Sequence, residues 1–331
     1  MLNREAWYLY RDRAWKESPK FCQIIMDKPE RIYIPGETVS GLVNIVINKP
    51  QRIRGIIIHY KGLCETFLID YYLVRYSMQY SGKQEYFDVS EYCKGGKTHP
   101  AFTLQPGVYS YRFIYKLPPR LPSSFQGDAG YVAYFVEVIL HRAFRKNLNN
   151  LLEFTVTPTF SLEAYPNLNT PARKKLDKHF LHCCRHGLIE AKLELPKTGY
   201  HAGDEIPILI YIDNCSTVKI KQADLQFRLL VTYYNESFLI YEKNARRVPT
   251  VFDEIKLGPV RQGIERTWQK SFRIPNIPTS CPYELAILKR EYQIYLKLKV
   301  GGYKPLPIII PIFIGTSPKS NKAKEGPSNS N

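Results

Sequence analysis

The 331 residues suit two domains of about 150 residues each, and a composition that is 44% hydrophobic and 13% aromatic is enough to fill two cores. The 47 Lys and Arg outnumber the 30 Asp and Glu by 17, so anionic partners are favoured: phosphoproteins, acidic lipid surfaces or nucleic acid. Met1 to Lys16 is too charged for a signal peptide, no apolar run reaches the ~20 residues of a membrane span, and seven cysteines without framework spacing fit free thiols, so a cytosolic protein is expected.

In chain order, Arg11, Arg13, Lys16 and Lys20 precede the first strand signal. The run Tyr33-Ile34-Pro35-Gly36-Glu37 reads as a tight turn in which Gly36 takes positive φ. It leads into alternation at Val39, Gly41, Val43, Ile45 and Ile47, a strand with one face in a core. Arg52 and Arg54 stand at a strand start, and Arg142, Arg145 and Lys146 follow another alternating run, Tyr131 to Leu140. Between Thr157 and Leu181 come Pro158, Pro166 and Pro171 with the basic group Arg173, Lys174, Lys175 and Lys178, which reads as a junction; Ala172 to Phe180 has the spacing of a short helical turn.

The turn then returns. Tyr200-His201-Ala202-Gly203-Asp204 repeats the first at an offset of 167 residues, and the match continues without a gap to Ile58/Leu225 and Tyr60/Phe227. A repeat this long is a duplicated domain rather than a solenoid unit. Later stripes fall at Ala223, Leu225, Phe227, Leu229 and Val231, and at Tyr292, Ile294, Leu296, Leu298 and Val300. The expected architecture is all-β: two tandem β-sandwiches with little helix, at 18–160 and 181–316, a linker at 161–180 and a disordered polar tail at 317–331.

Chemistry is sparse. His179, His182, Cys183, Cys184 and His186 fall within eight residues, but in an extended segment neighbouring side chains alternate faces. A core strand is the preferred reading over a metal site, with palmitoylation of the adjacent cysteines a weaker alternative. No Gly-x-Ser-x-Gly or His-Glu-x-x-His is present, and Asp204-Glu205 reads as a solvated turn. Neither an enzyme nor a cofactor is expected. The candidate anion or cargo contacts are Arg52, Arg54, Arg142, Arg145, Arg173, Lys174, Lys175 and Lys178. No recognised nucleic-acid motif is visible, and nucleic acid is not an expected partner.

The motif set resembles the arrestin superfamily, and within it the α-arrestins, or arrestin-domain-containing proteins. In the first half it comprises Tyr33-x-Pro35-Gly36-Glu37-x-Val39-x-Gly41, Tyr60-Lys61-Gly62, Leu104-x-Pro106-Gly107, and Leu121-Pro122-Ser123-Ser124-Phe125-x-Gly127. Asn167-Leu168-Asn169-x-Pro171 follows, then Gly203, Ile212-x-Asn214-x-Ser216, Trp268 and Pro311-Ile312-x-Ile314-Gly315-Thr316. The resemblance implies paired immunoglobulin-like sandwiches without a catalytic centre or cofactor. It implies an adaptor that binds cytosolic tails of membrane receptors or transporters, and anionic membrane lipid, and directs them into endocytic sorting. Its expected location is cytoplasmic, with recruitment to plasma membrane and endosomes. A structural subunit of a retromer-like coat is the alternative.

Three departures narrow the expectation. The sequence has no Pro-Pro-x-Tyr, so contact with a ubiquitin ligase is expected only indirectly. Phe21 is followed by Cys22 and Gln23, where receptor-type arrestins place two phosphate-reading lysines, and Glu265 stands where the thioredoxin-binding branch has its cysteine, so no redox role is carried over.

Overall fold

The computed structural model describes residues 22–73, 76–182, 185–234, 245–281 and 287–316. Strands dominate, and the single helical element among the described residues is a 3-10 turn at Pro166–Asn169. The chain divides into two compact units. The first holds the described residues of Met1–Pro158, Tyr233–Arg246 and Tyr283–Leu288; the second holds those of Thr159–Thr232, Arg247–Pro282 and Lys289–Asn331.

The first unit is built from β1 (Cys22–Met26), β2 (Ile32–Tyr33), β3 (Thr38–Ile47), β4 (Gln51–Leu73), β5 (Tyr76–Gly95), β6 (Phe102–Leu104), β7 (Gly107–Lys116), β8 (Phe125–Gly127), β9 (Gly130–Arg142) and β10 (Leu148–Val156). One sheet runs β1-β3-β7; the other runs β2-β10-β9-β4-β5, with β6 added to β4 and β8 to β9. Alternation explains the layers. Val39, Val43, Ile45 and Ile47 of β3 are buried, as are Ile53, Ile56, Ile58 and Tyr60 of β4, while Ser40, Leu42, Asn44 and Val46 of β3 and Arg54, Ile57 and His59 of β4 are less buried. The sheets meet through rings: Tyr60 stacks on Tyr115 of β7 with centroids 4.6 Å apart.

The second unit is built from β11 (Ala172–His182), β12 (Arg185–Leu195), β13 (Gly199–His201), β14 (Glu205–Asn214), β15 (Ile220–Tyr234), β16 (Ala245–Val260), β17 (Ile264–Arg273), β18 (Leu288–Val300) and β19 (Leu306–Gly315), apart from the last two residues of β15, the first two of β16 and the first of β18, which fall in the first. Its sheets are β11-β12-β14-β17 and β13-β19-β18-β15-β16, enclosing a core that includes Ile208, Ile210, Phe227, Phe272 and Leu296. Two expectations are corrected here. The stretch Ala172 to Phe180 is neither a helical turn nor a free linker; it is strand β11, paired in continuous register with β12 from Ala172↔Leu195 to His182↔Arg185.

The duplication is atomic in detail. β3 and β14 keep the offset of 167 at both ends. Glu37 accepts the Ile34 amide at 2.9 Å, and Asp204 accepts the His201 amide at the same distance. Gly36 and Gly203 have φ 83 and 91, the left-handed region open to glycine. Each unit is closed the same way. The Tyr134 hydroxyl donates to the Pro122 carbonyl and the Tyr292 hydroxyl to the Pro278 carbonyl, both at 2.7 Å. The Ser124 and Ser280 hydroxyls accept the amides of Val156 and Ile314, both at 2.9 Å.

Space is open around both turn glycines, with no atom within 4 Å of a Cβ built on Gly203 and only Pro119 Cα at 3.9 Å from one on Gly36. The cost of Gly36→Ala and Gly203→Ala is therefore conformational alone. Each substitution is expected to destabilise its unit by about 1 kcal/mol in urea unfolding; no change in either midpoint contradicts the left-handed turns.

Candidate functional site

The strand register of the first unit gathers three segments at one end. Arg52 pairs with Thr103, Ile53 with Arg142, and Gly55 with Gly95. The Ala143 amide donates to the Arg52 carbonyl at 3.0 Å, and the Gly96 amide to the Arg54 carbonyl at 3.4 Å. Residues 46–55, 92–110 and 138–152 thus converge. Together they carry eight cations, Lys49, Arg52, Arg54, Lys94, Lys97, Arg142, Arg145 and Lys146, and not one Asp or Glu.

Local structure explains why these groups point outward. Ile53 takes the core side of β4, which leaves Arg52 and Arg54 exposed on the other. Lys94 lies over the rings of Tyr109 and Phe102, at 5.3 and 5.8 Å from their centroids. Arg142 braces the hairpin that follows it. Its Nε donates to the Lys146 carbonyl at 2.7 Å, a second guanidinium N–H donates to the same oxygen, and its own amide donates to Asn147 Oδ1 at 3.2 Å. Arg145 and Lys146 extend into solvent from that hairpin. Cations reinforce one another toward an anion within the Debye length, about 8 Å at physiological salt.

The other four candidates behave differently. Arg173, Lys174, Lys175 and Lys178 lie on β11 of the second unit, the edge of its sheet. Arg173 pairs with Glu194 at 3.3 Å, and Lys175 with Glu190 at 2.9 Å and Asp177 at 3.1 Å. This is a cross-strand charge ladder whose positive charge is largely matched. Lys174 and Lys178 protrude from an edge strand, a placement that discourages edge-to-edge association. Cation runs close in sequence therefore gave a set that the structure splits into two. Lys49, Lys94 and Lys97 were missed, and the signal that marks them is the lack of carboxylates across three separate segments.

Of the His and Cys group, His179 is exposed on β11, while the side chains of His182, Cys183, Cys184 and His186 lie outside the described residues. Among the described residues no His, Cys, Asp and Glu converge as a metal site. Two acidic groups of the first unit, Asp88 and Glu137, sit on its larger sheet. His59 bridges Asp88 at 2.7 Å and Glu137 at 3.3 Å, Lys61 meets Asp88 at 3.0 Å, and Asn149 donates to Glu137 at 2.8 Å. The Glu137 hydrogen bond, assisted by Asp88 against the opposing effect of burial, raises His59 above its ordinary pKa. Asp88 is held below its usual range by His59 and then Lys61. Burial pushes Glu137 upward, but its bonds to His59 and Asn149 outweigh that and leave it lowered.

Comparison with known proteins gives a consistent result. A family model described as arrestin (or S-antigen), N-terminal domain, matches residues 22–163, and one described as arrestin (or S-antigen), C-terminal domain, matches residues 185–319. The chain is 28% identical over 305 residues to arrestin domain-containing protein 17 of Caenorhabditis elegans, covering 87% of this chain and 69% of that protein. It is 25% identical over 307 residues to mouse arrestin domain-containing protein 4, covering 90% and 72%. It is 23% identical over 313 residues to human thioredoxin-interacting protein, covering 90% and 74%.

The His59 bridge has a defined pH signature. A histidine raised on folding contributes stability fully below its unfolded value of about 6.5, and loses that contribution as pH rises through the higher folded value. Its lowered carboxylate partners contribute above their unfolded range near 4 and lose it on acidification. The stability difference between wild type and His59→Asn is expected to be largest between those limits and to shrink toward pH 8.5. A difference that grows as pH rises from about 6.5 to 8.5 contradicts the bridge.

Proposed function

The chain belongs to the arrestin family, in its arrestin-domain-containing branch, and from that premise we propose that it is a non-catalytic adaptor for membrane-protein cargo. In this reading it works in the cytosol, meets cytosolic tails of receptors or transporters at plasma membrane and endosomes, and directs them into endocytic transport. Contact with a ubiquitin ligase is indirect.

One structural difference between the two units supports the reading. In the second unit, β12 is covered by β11. In the first unit, β1 pairs with β3 and ends its sheet among the described residues. An edge strand offers a row of backbone donors and acceptors to an extended peptide, which adds as a further strand. The exposed side of β1 carries Gln23 and the apolar Ile25, so a tail laid along it meets both a hydrogen-bonding ladder and a hydrophobic contact. The three converging segments of the same unit that carry cations without Asp or Glu favour tails that are acidic or phosphorylated.

Proximity labelling in native cells, with wild type beside Ile25→Asp, tests the proposal. Enrichment of plasma-membrane or endosomal receptors and transporters is expected, falling several-fold in the variant while its thermal midpoint stays near that of wild type. Recovery of one fixed soluble complex, the same for both proteins, overturns the adaptor reading.

A further inference from the structure

The hairpin that joins β9 to β10 has a counterpart joining β18 to β19. Leu140 pairs with Leu148 at the base of the first, and Leu298 with Leu306 at the base of the second, an offset of 158 on both arms. The Ala143 amide donates to the Arg52 carbonyl at 3.0 Å; the Gly301 amide donates to the Lys219 carbonyl at 3.1 Å. The following residue is left-handed in both, Phe144 with φ 60 and Gly302 with φ 78. The fold therefore has a slot that glycine fills without strain. In the first unit the slot holds a phenylalanine, a bulky residue for which that conformation is an outlier.

Packing does not explain the choice. Phe144 is 88% exposed, the most exposed large apolar side chain among the described residues. Its hairpin is nonetheless held firmly, by the Arg142 fork on the Lys146 carbonyl and by the Ala143 contact to β4. A strained, solvent-facing ring on a braced support is a feature kept for something other than folding. Arg145 and Lys146 follow it directly in the hairpin, and its neighbour Ala143 is bonded to the carbonyl of Arg52, all within segments that contain no carboxylate. The base of the hairpin adds an apolar shoulder, an open groove where Val46 and Lys49 approach Leu140 and Leu148. Val46 pairs with Val108, which is 69% exposed.

We propose that this end of the first unit docks on an anionic bilayer, with Phe144 entering the boundary between headgroups and acyl chains and the exposed cations of its hairpin lying at the level of the lipid phosphates. A soluble polyanion uses the cations alone. An outward ring on a hairpin that also carries exposed cations matches a surface that is apolar beneath and negative above. The two signals are both needed, because one small apolar insertion holds a protein to a membrane only marginally, and cations next to anionic lipid supply the rest. This docking goes beyond the adaptor reading, since it requires no cargo.

Sedimentation of the full chain with phosphatidylcholine vesicles, with and without phosphatidylserine, tests it at physiological salt. Wild type is expected to bind only the phosphatidylserine vesicles. Arg145→Ala and Lys146→Ala each weaken binding about fivefold, and Phe144→Gly weakens it about tenfold or more. The same Phe144→Gly variant is expected to raise the thermal midpoint, because it relieves the left-handed phenylalanine, so its lost binding is not a folding failure. Ile25→Asp keeps full vesicle binding, which separates this result from that of cargo labelling. Equal vesicle binding by wild type and Phe144→Gly overturns the proposal, as does binding of a phosphopeptide or RNA by a protein that ignores the vesicles.

Discussion

Each unit depends on one closure. A strand of two or three residues near its beginning, β2 or β13, pairs in parallel with its last strand, β10 or β19. The first of these pairs joins residues more than 120 apart, so its loop-closure entropy is lost before any contact returns it. The short strands are too small to hold by backbone bonds alone. Side chains complete the closure: Glu37 or Asp204 fixes the turn that follows, and a serine and a tyrosine tie the distal segment to its neighbours. Of these residues, Glu37 and Ser124 fall within the motifs that carry the family resemblance.

The fold was legible because this closure and the strands around it occur twice. Period-two alternation in β3 and β14 identified the strands, and the offset of 167 identified the duplication. β11 was not legible, for a physical reason. By alternation Ala172, Lys174, Leu176, Lys178 and Phe180 share one side of the strand, yet Lys174 and Lys178 on that side are exposed. Taken alone, the apolar ones at 172, 176 and 180 repeat every four residues, as on a helix. On an edge strand the intervening lysines can run their stems past the sheet and place their charges in water, so alternation is broken without loss of packing.

The candidate site was half legible for a related reason. Charge reads locally along a chain, but a sheet assembles charge across strands. The run Arg173, Lys174 and Lys175 is the densest in sequence, and two of its three charges, Arg173 and Lys175, are matched across the strands by Glu194 and Glu190. Arg52, Arg54, Arg142 and Arg145 are scattered over more than 90 positions, and they meet because Ile53 pairs with Arg142. Net charge therefore says less about binding than where the carboxylates are missing.

A duplicated domain contains its own control. Where both units share a geometry and keep the residue, as at Gly36 and Gly203, backbone physics is sufficient explanation. Where they share a geometry and differ, folding cannot be the reason for the difference, because the other unit folds with the alternative. Phe144 against Gly302 is such a place: the same left-handed position, the same supporting amide, and a residue that costs stability in only one unit. The edges differ in the same sense, with β12 covered by β11 and β1 ending its sheet among the described residues. Both differences fall on the first unit, and so do the three segments that carry cations without Asp or Glu. An edge strand uncovered among the described residues, a cation-rich end and a strained exposed ring occur together in one copy, and that is the argument for the interactions proposed for the first unit.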